Sequence, residues 1–225
     1  MGIARVALPV AAPAAFDYWL PAGLVVELGS VVRVRLGKRA LIGVVVDIAT
    51  KSDIARERLQ PIGEVVGDVP PLSSDLLRLA EFVAGYYQEP LGQVLAQMVP
   101  PLGRSGASFR AGIRSPPLAP PVDADASDAA TTLNADQHRA VVAIRGAQGR
   151  FVPFLLDGIT GSGKTAVYLA AAAECSGAGG QALLLVPEIN LTPQFMQRIA
   201  RALPGRHAVT LHSRLPAAMR RRHWR

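Results

Sequence analysis

The stretch from Leu155 to Thr165, LLDGITGSGKT, constrains the fold of this chain more than any other. Gly158 to Thr165 fits G-x-x-x-x-G-K-[ST], a loop that follows a buried strand and opens a helix. Phe154, Leu155 and Leu156 supply the apolar run of such a strand, and Ala166 to Ala173 continues with good helix formers. Gly158, Gly161 and Gly163 let the backbone bend tightly and turn successive N–H groups inward at phosphate oxygens, where a Cβ would intrude. Thr160 and Ser162 complete the loop, and the positive end of the following helix adds to its field. Lys164 is expected to reach the β- and γ-phosphates of ATP as a mobile point charge, and the Thr165 hydroxyl to ligate Mg²⁺. A glycine turn that happens to carry Lys-Thr is the plainer alternative. The strand-loop-helix context argues against it.

Composition bounds the rest. With 225 residues, 50% hydrophobic and 18% charged, the sequence is globular and has room for one large domain or two small ones. Aromatics make up only 5%, so cores must be built from Val, Leu, Ile and Ala. The net charge of +7 is unevenly placed: residues 133–225 carry 12 Lys and Arg against 4 acids, whereas residues 1–102 carry 9 against 10. Eight arginines and no acid lie between Arg198 and Arg225. Such a cluster fits either a nucleic-acid footprint or a solvated face. Cys175 is the only cysteine, so neither an intrachain disulfide nor a Cys-rich zinc site is expected. No run approaches the ~18 apolar residues of a membrane span. Cytoplasm is the expected compartment, with no membrane partner.

Residues 1 to about 66 have the pattern of a small barrel or curled sheet. Strands are predicted at Ile3 to Leu8, Asp17 to Leu20, Ser30 to Leu36, Ala40 to Ile48 and Pro61 to Val66, with Gly37, Lys38 and Arg39 turning the third into the fourth. A helix capped by Ser73 or Ser74 follows, with Leu76, Leu77, Leu79, Ala80, Val83, Ala84 and Tyr87 at helical spacing. A shorter helix, Leu91 to Val99, stops at Pro100-Pro101. Both are expected to cover one face of the sheet, with Met98, Tyr86 and Tyr87 in core or rim. Residues 103–132, rich in Pro, Ala, Ser, Gly and Asp, are predicted to be a linker, which divides the chain into domains 1–102 and 133–225.

From Leu133 the pattern is α/β. Asn134 caps a helix to about Arg145, Phe151 to Leu156 is the strand entering the phosphate loop, and further strands are predicted at Ala182 to Val186 and Ala208 to Leu211. Helices lie between and after them. Alternation of this kind implies a parallel sheet with right-handed crossovers. Gln137, about twenty residues ahead of the loop, offers one donor and one acceptor that can pair with adenine N6 and N7. The segment VPEINLTPQ leads from a strand end into a helix N-terminus able to receive a backbone phosphate, with Glu188, Thr192 and Gln194 as candidate contacts. Thr192 as cap and Pro193 at the first helical position are compatible with that role.

Together, LNADQ, LLDGITGSGKT, LLLVPEINLTPQ and LHSRL resemble the first RecA-like lobe of the PriA family of bacterial replication-restart helicases. AFDYWLP, followed by the hairpin GSVVRVRLGKR, resembles that family's domain for binding the 3′ end of a nascent strand. The fold implied is α/β, with a β-rich DNA-binding domain joined by a linker to a truncated RecA-like P-loop lobe. By position, Phe16, Asp17 and Tyr18 match the 3′-end pocket, where the carboxylate would accept a hydrogen bond from the terminal hydroxyl. Gly37 and Lys38 match the adjoining hairpin.

The resemblance also implies binding of replication forks and single-stranded DNA, ATP-driven 3′ to 5′ unwinding, and primosome proteins and single-stranded DNA-binding protein as partners. Thirty residues between Gly103 and Thr132 are too few for the family's winged-helix domain. A Walker B motif, an arginine finger, a second lobe and the zinc-binding cysteine clusters do not occur before Arg225. The chain by itself is therefore expected to lack helicase activity. A non-catalytic DNA-end-binding fragment and an unrelated P-loop kinase or NTPase are the alternatives.

Overall fold

The structure, a computed structural model, describes residues 2–12, 15–67, 69–100, 102, 132–187 and 192–224. Nearly all of the predicted linker lies outside the described residues. The chain divides into two compact units, Met1–Arg114 with Ser213–Arg225, and Ser115–His212.

The first unit is built on five strands: β1 (Ile3–Ala7), β2 (Phe16–Trp19), β3 (Val31–Leu36), β4 (Arg39–Ala49) and β5 (Gln60–Val65). They close into a barrel in the order β1-β2-β5-β3-β4. All neighbours are antiparallel except β2 and β5, whose parallel register pairs Tyr18 with Gln60. Alternation explains the interior: Ala4, Val6, Leu8, Tyr18, Val32, Val34, Val45 and Ile62 pack together inside it.

A second core forms outside the barrel, where Ala7 and Val44 meet Leu72, Ala80, Val94 and Leu95. These last residues belong to or adjoin α1 (Ser74–Tyr87) and α2 (Leu91–Met98). The double burial accounts for the continuous apolar run of β4: Val45 faces inward and Val44 lies under the helices. Gly92 lets α2 come down on β1, since a Cβ there would strike the Leu8 carbonyl. Ser73 occupies the N-cap of α1 without a side-chain bond. Tyr86 and Tyr87 stand 70% and 67% exposed beside Phe82, so α1 buries a narrower stripe than its apolar spacing predicts. The first unit also includes α6 (Ala217–Trp224).

The second unit holds α3 (Ala135–Gly146), α4 (Lys164–Gly177) and α5 (Pro193–Ala202). The expected parallel sheet is not formed among the described residues. Phe151 to Leu156, Ala182 to Val186 and Ala208 to Leu211 make no ladder, and Phe151, Leu155, Leu183 and Leu185 are more than four-fifths exposed. A strand exists only through hydrogen bonds to a neighbour. Apolar composition marks these segments as suited to a sheet, but does not supply the pairing.

Candidate functional site

Closure of the barrel assembles the first candidate site. The pairs Tyr18↔Gln60 and Val34↔Ile62 bring the start of β2 and the tip of the β3–β4 hairpin to one end of the barrel. Gly37 and Lys38 form the two-residue hairpin loop between the paired Leu36 and Arg39. Gly37 has φ +58° and Lys38 is not among the residues with positive φ, which is the pattern of a type II′ turn. Both are exposed. Phe16 is half-buried against the barrel core.

Tyr18 lies elsewhere than its motif neighbours. It is only 3% exposed, and its phenol points into the barrel and donates to the Arg35 carbonyl at 2.9 Å. Burial pushes its pKa from 10.0 up to about 12. Its buried phenol supports the hairpin from within.

Asp17 stands in a row of charges across three strands. Arg5 on β1 is in register with Asp17 on β2 and with Asp47 on β4. Its guanidinium lies 3.5 Å from Asp17 Oδ1 and 2.7 Å from Asp47 Oδ2. A bulge follows Arg5 in the β1–β4 pairing. The Ser52 hydroxyl donates to Asp17 Oδ2 at 2.5 Å from the segment between β4 and β5. Sequence reasoning did not single out Arg5, Asp47 or Ser52. Strand register could have suggested the first two, but Ser52 is 35 residues from Asp17 and carries no local signal.

The second candidate site is the phosphate loop, within the other unit. Gly161 and Gly163 have φ of +86° and +82°, so both adopt the left-handed conformation that side chains disfavour. α4 starts directly at Lys164, leaving its first-turn amides at the loop. A Cβ on Gly158 would come within 2.7 Å of Ser162 Oγ. Lys164 Nζ folds back into the loop and donates to the carbonyls of Gly158 and Ile159. Thr165 Oγ1 and the Tyr168 hydroxyl are hydrogen-bonded at 3.1 Å. Thr160 is exposed at the turn.

Gln137 links the start of α3 to this loop through its carboxamide. Its Oε1 accepts from Asn134 N and its backbone N–H donates to Asn134 Oδ1, each at 2.9 Å, which makes a capping box at the start of α3. Its Nε2 donates to the Ser162 carbonyl at 3.0 Å. Donor and acceptor each have one partner within the protein, so the carboxamide also acts as a strut between α3 and the loop.

In the VPEINLTPQ segment, Glu188 lies outside the described residues. Thr192 caps α5, accepting from Phe195 N at 3.2 Å, with Pro193 at the first helical position. Gln194 is exposed in that first turn. Among the described residues, no group of three His, Cys, Asp or Glu side chains is arranged to hold a metal ion. No described helix is long and apolar enough to cross a membrane.

Comparison with known proteins gives two family matches. Residues 5–100 match the PriA 3′DNA-binding domain (3′BD), and residues 130–216 match the type III restriction enzyme, res subunit. Replication restart protein PriA of Haemophilus influenzae is 29% identical over 88% of this chain and 36% of its own length. The Rickettsia felis protein of that name is 28% identical over 88% of the chain and 28% of its own length. Its Treponema pallidum counterpart is 32% identical over 84% and 28%. The chain thus spans about a third of the length of these curated relatives.

Proposed function

This chain belongs to the PriA replication-restart family, as an N-terminal portion, and from that premise we propose that its barrel binds the 3′ end of a nascent DNA strand and its phosphate loop binds Mg²⁺-ATP. One observation carries the first half: barrel closure gathers Phe16, Asp17 and the Gly37-Lys38 turn at one end, although twenty residues separate them in sequence. Asp17 is the acceptor for the terminal 3′-hydroxyl. Gly37 allows close backbone approach, Lys38 brings a cation to the neighbouring phosphate, and Phe16 offers an apolar edge to the last nucleotide. Tyr18 holds the hairpin in place.

For the second half, the residues present fit a nucleotide. Gly158, Gly161 and Gly163 leave room for the polyphosphate against the first turn of α4. Lys164 would exchange its two carbonyl partners for phosphate oxygens, and Thr165 would turn from Tyr168 towards the metal. Bound Mg²⁺, held through the Thr165 hydroxyl, would neutralise charge on the phosphates. Gln137, by holding the Ser162 carbonyl, keeps the loop open towards that site.

On this reading the region from Leu133 is part of a RecA-like lobe, and Thr192 and Gln194 at the start of α5, with Glu188, contact the DNA backbone. Fork recognition, 3′ to 5′ unwinding and assembly with primosome proteins and single-stranded DNA-binding protein belong to the same proposal for the longer family architecture. The test is fluorescence anisotropy with a single-stranded oligonucleotide ending in either a 3′-hydroxyl or a 3′-phosphate. Tighter binding of the hydroxyl end is expected, and equal affinity would refute the role given to Asp17.

A further inference from the structure

The carboxylate of Asp17 is oriented from two sides. Ser52 donates to its Oδ2 at 2.5 Å, and Arg5 Nε stands 3.5 Å from its Oδ1. Ser52 is itself fixed, because its Oγ accepts the Ile54 backbone N–H at 3.1 Å. A serine hydroxyl has one proton to give. With its oxygen held by Ile54, that proton is aimed at Asp17, and successive bonds along such a chain polarise one another. Arg5 is anchored in turn by Asp47 at 2.7 Å, so it cannot swing away from the row without breaking a second ion pair.

These contacts decide what the site accepts. An Asp carboxylate has about four lone-pair positions; Ser52 engages one at Oδ2, and Arg5 faces Oδ1 as an ion pair at 3.5 Å. The Asp17 side chain keeps 14% of its surface exposed, so the remaining outward positions form a small, directed acceptor. A sugar hydroxyl can donate to it. A terminal phosphate can only bring more negative charge towards a row of two carboxylates and one guanidinium, in which the cation is already shared.

Resting on the reading of Asp17 as the hydroxyl acceptor, we propose that Ser52 is the positioning residue of the DNA-end site: it sets the Asp17 carboxylate in the orientation that takes a 3′-hydroxyl donor and refuses a 3′-phosphate. Ser52 lies in the largely exposed segment between β4 and β5, so its side chain can be changed without disturbing the barrel core.

The experiment uses the whole chain and the two oligonucleotides, with Ser52→Ala, Ser52→Thr and Asp17→Asn beside the unaltered protein. Ser52→Ala should weaken binding to the hydroxyl end about fivefold, the worth of one hydrogen bond, and leave the phosphate end unchanged, so that the preference between ends collapses. Ser52→Thr keeps the hydroxyl and should restore the preference. A role confined to holding the loop would weaken both ends alike. If Ser52→Ala keeps the full preference, or binds the hydroxyl end more tightly, the positioning role is overturned. Preference lost in Asp17→Asn but kept in Ser52→Ala sinks the Ser52 proposal alone. No preference in the unaltered chain sinks the Asp17 reading and this one with it.

Discussion

Tyr18 shows how one side chain can belong to a motif and still serve the fold. Its neighbours Phe16 and Asp17 are partly exposed, while its ring fills the barrel and its hydroxyl holds the Arg35 carbonyl. Burial favours the neutral phenol, so the folded-state pKa of about 12 lies above the unfolded value of 10.0. The stability that follows from this shift is fully present below pH 10 and is lost as pH rises towards 12. Over that window the loss is on the order of 2 kcal/mol. Tyr18→Phe should cost about 1 kcal/mol at neutral pH through the missing hydrogen bond, and should then lose less stability on going alkaline. Urea unfolding of both chains at pH 8 and pH 11 checks this. Parallel losses in the two would show that Tyr18 is not the group that titrates.

At the scale of elements, α3, the phosphate loop and α4 form one mechanical piece. Asn134 was legible in the sequence as a helix cap because capping depends on residues two or three apart, and Gln137 completes the capping box with it. The bond from Gln137 to the Ser162 carbonyl spans 25 residues and was not legible. A side chain that served only to read adenine would leave the empty protein indifferent to its removal. Gln137→Ala should instead lower the unfolding free energy by about 1–2 kcal/mol with no nucleotide present, through lost capping and the lost strut. A thermal melt in nucleotide-free buffer measures it, and an unchanged midpoint would return Gln137 to the role of a simple base contact. α1 offers a contrast. Its helical spacing was read correctly, yet Phe82, Tyr86 and Tyr87 stay on the surface, because the core that α1 shares with α2 and the barrel buries Ala80 and packs Leu77, Val83 and Ala84.

Over the whole molecule, stability is unevenly distributed. Barrel amides are bonded on both sides of nearly every strand, as closure requires, whereas residues 151–159 and 181–187 have no ladder and expose large apolar side chains. Opening free energies follow such differences in bonding and burial. Hydrogen exchange should therefore find the amides of β1, β3 and β4 protected by orders of magnitude more than those of residues 151–159 and 181–187. Equal protection would mean that these segments do pair as strands in solution, as their composition had suggested.

The sequence by itself determined what depends on neighbours a few residues apart. The left-handed glycines of the phosphate loop, the caps at Asn134 and Thr192, the Gly37-Lys38 turn and most strand positions of the N-terminal region follow from local sterics and hydrogen bonding. Tertiary structure decided what depends on which strand lies beside which. It closed the sheet into a barrel, turned Tyr18 inward, and set Asp17 between Arg5 and Ser52. It also left the apolar segments after Arg150 without ladders. The reason is physical: side-chain pattern sets how well a segment suits a sheet, but ladder hydrogen bonds and cross-strand contacts exist only once a partner and a register have been chosen, and both come from distant parts of the chain.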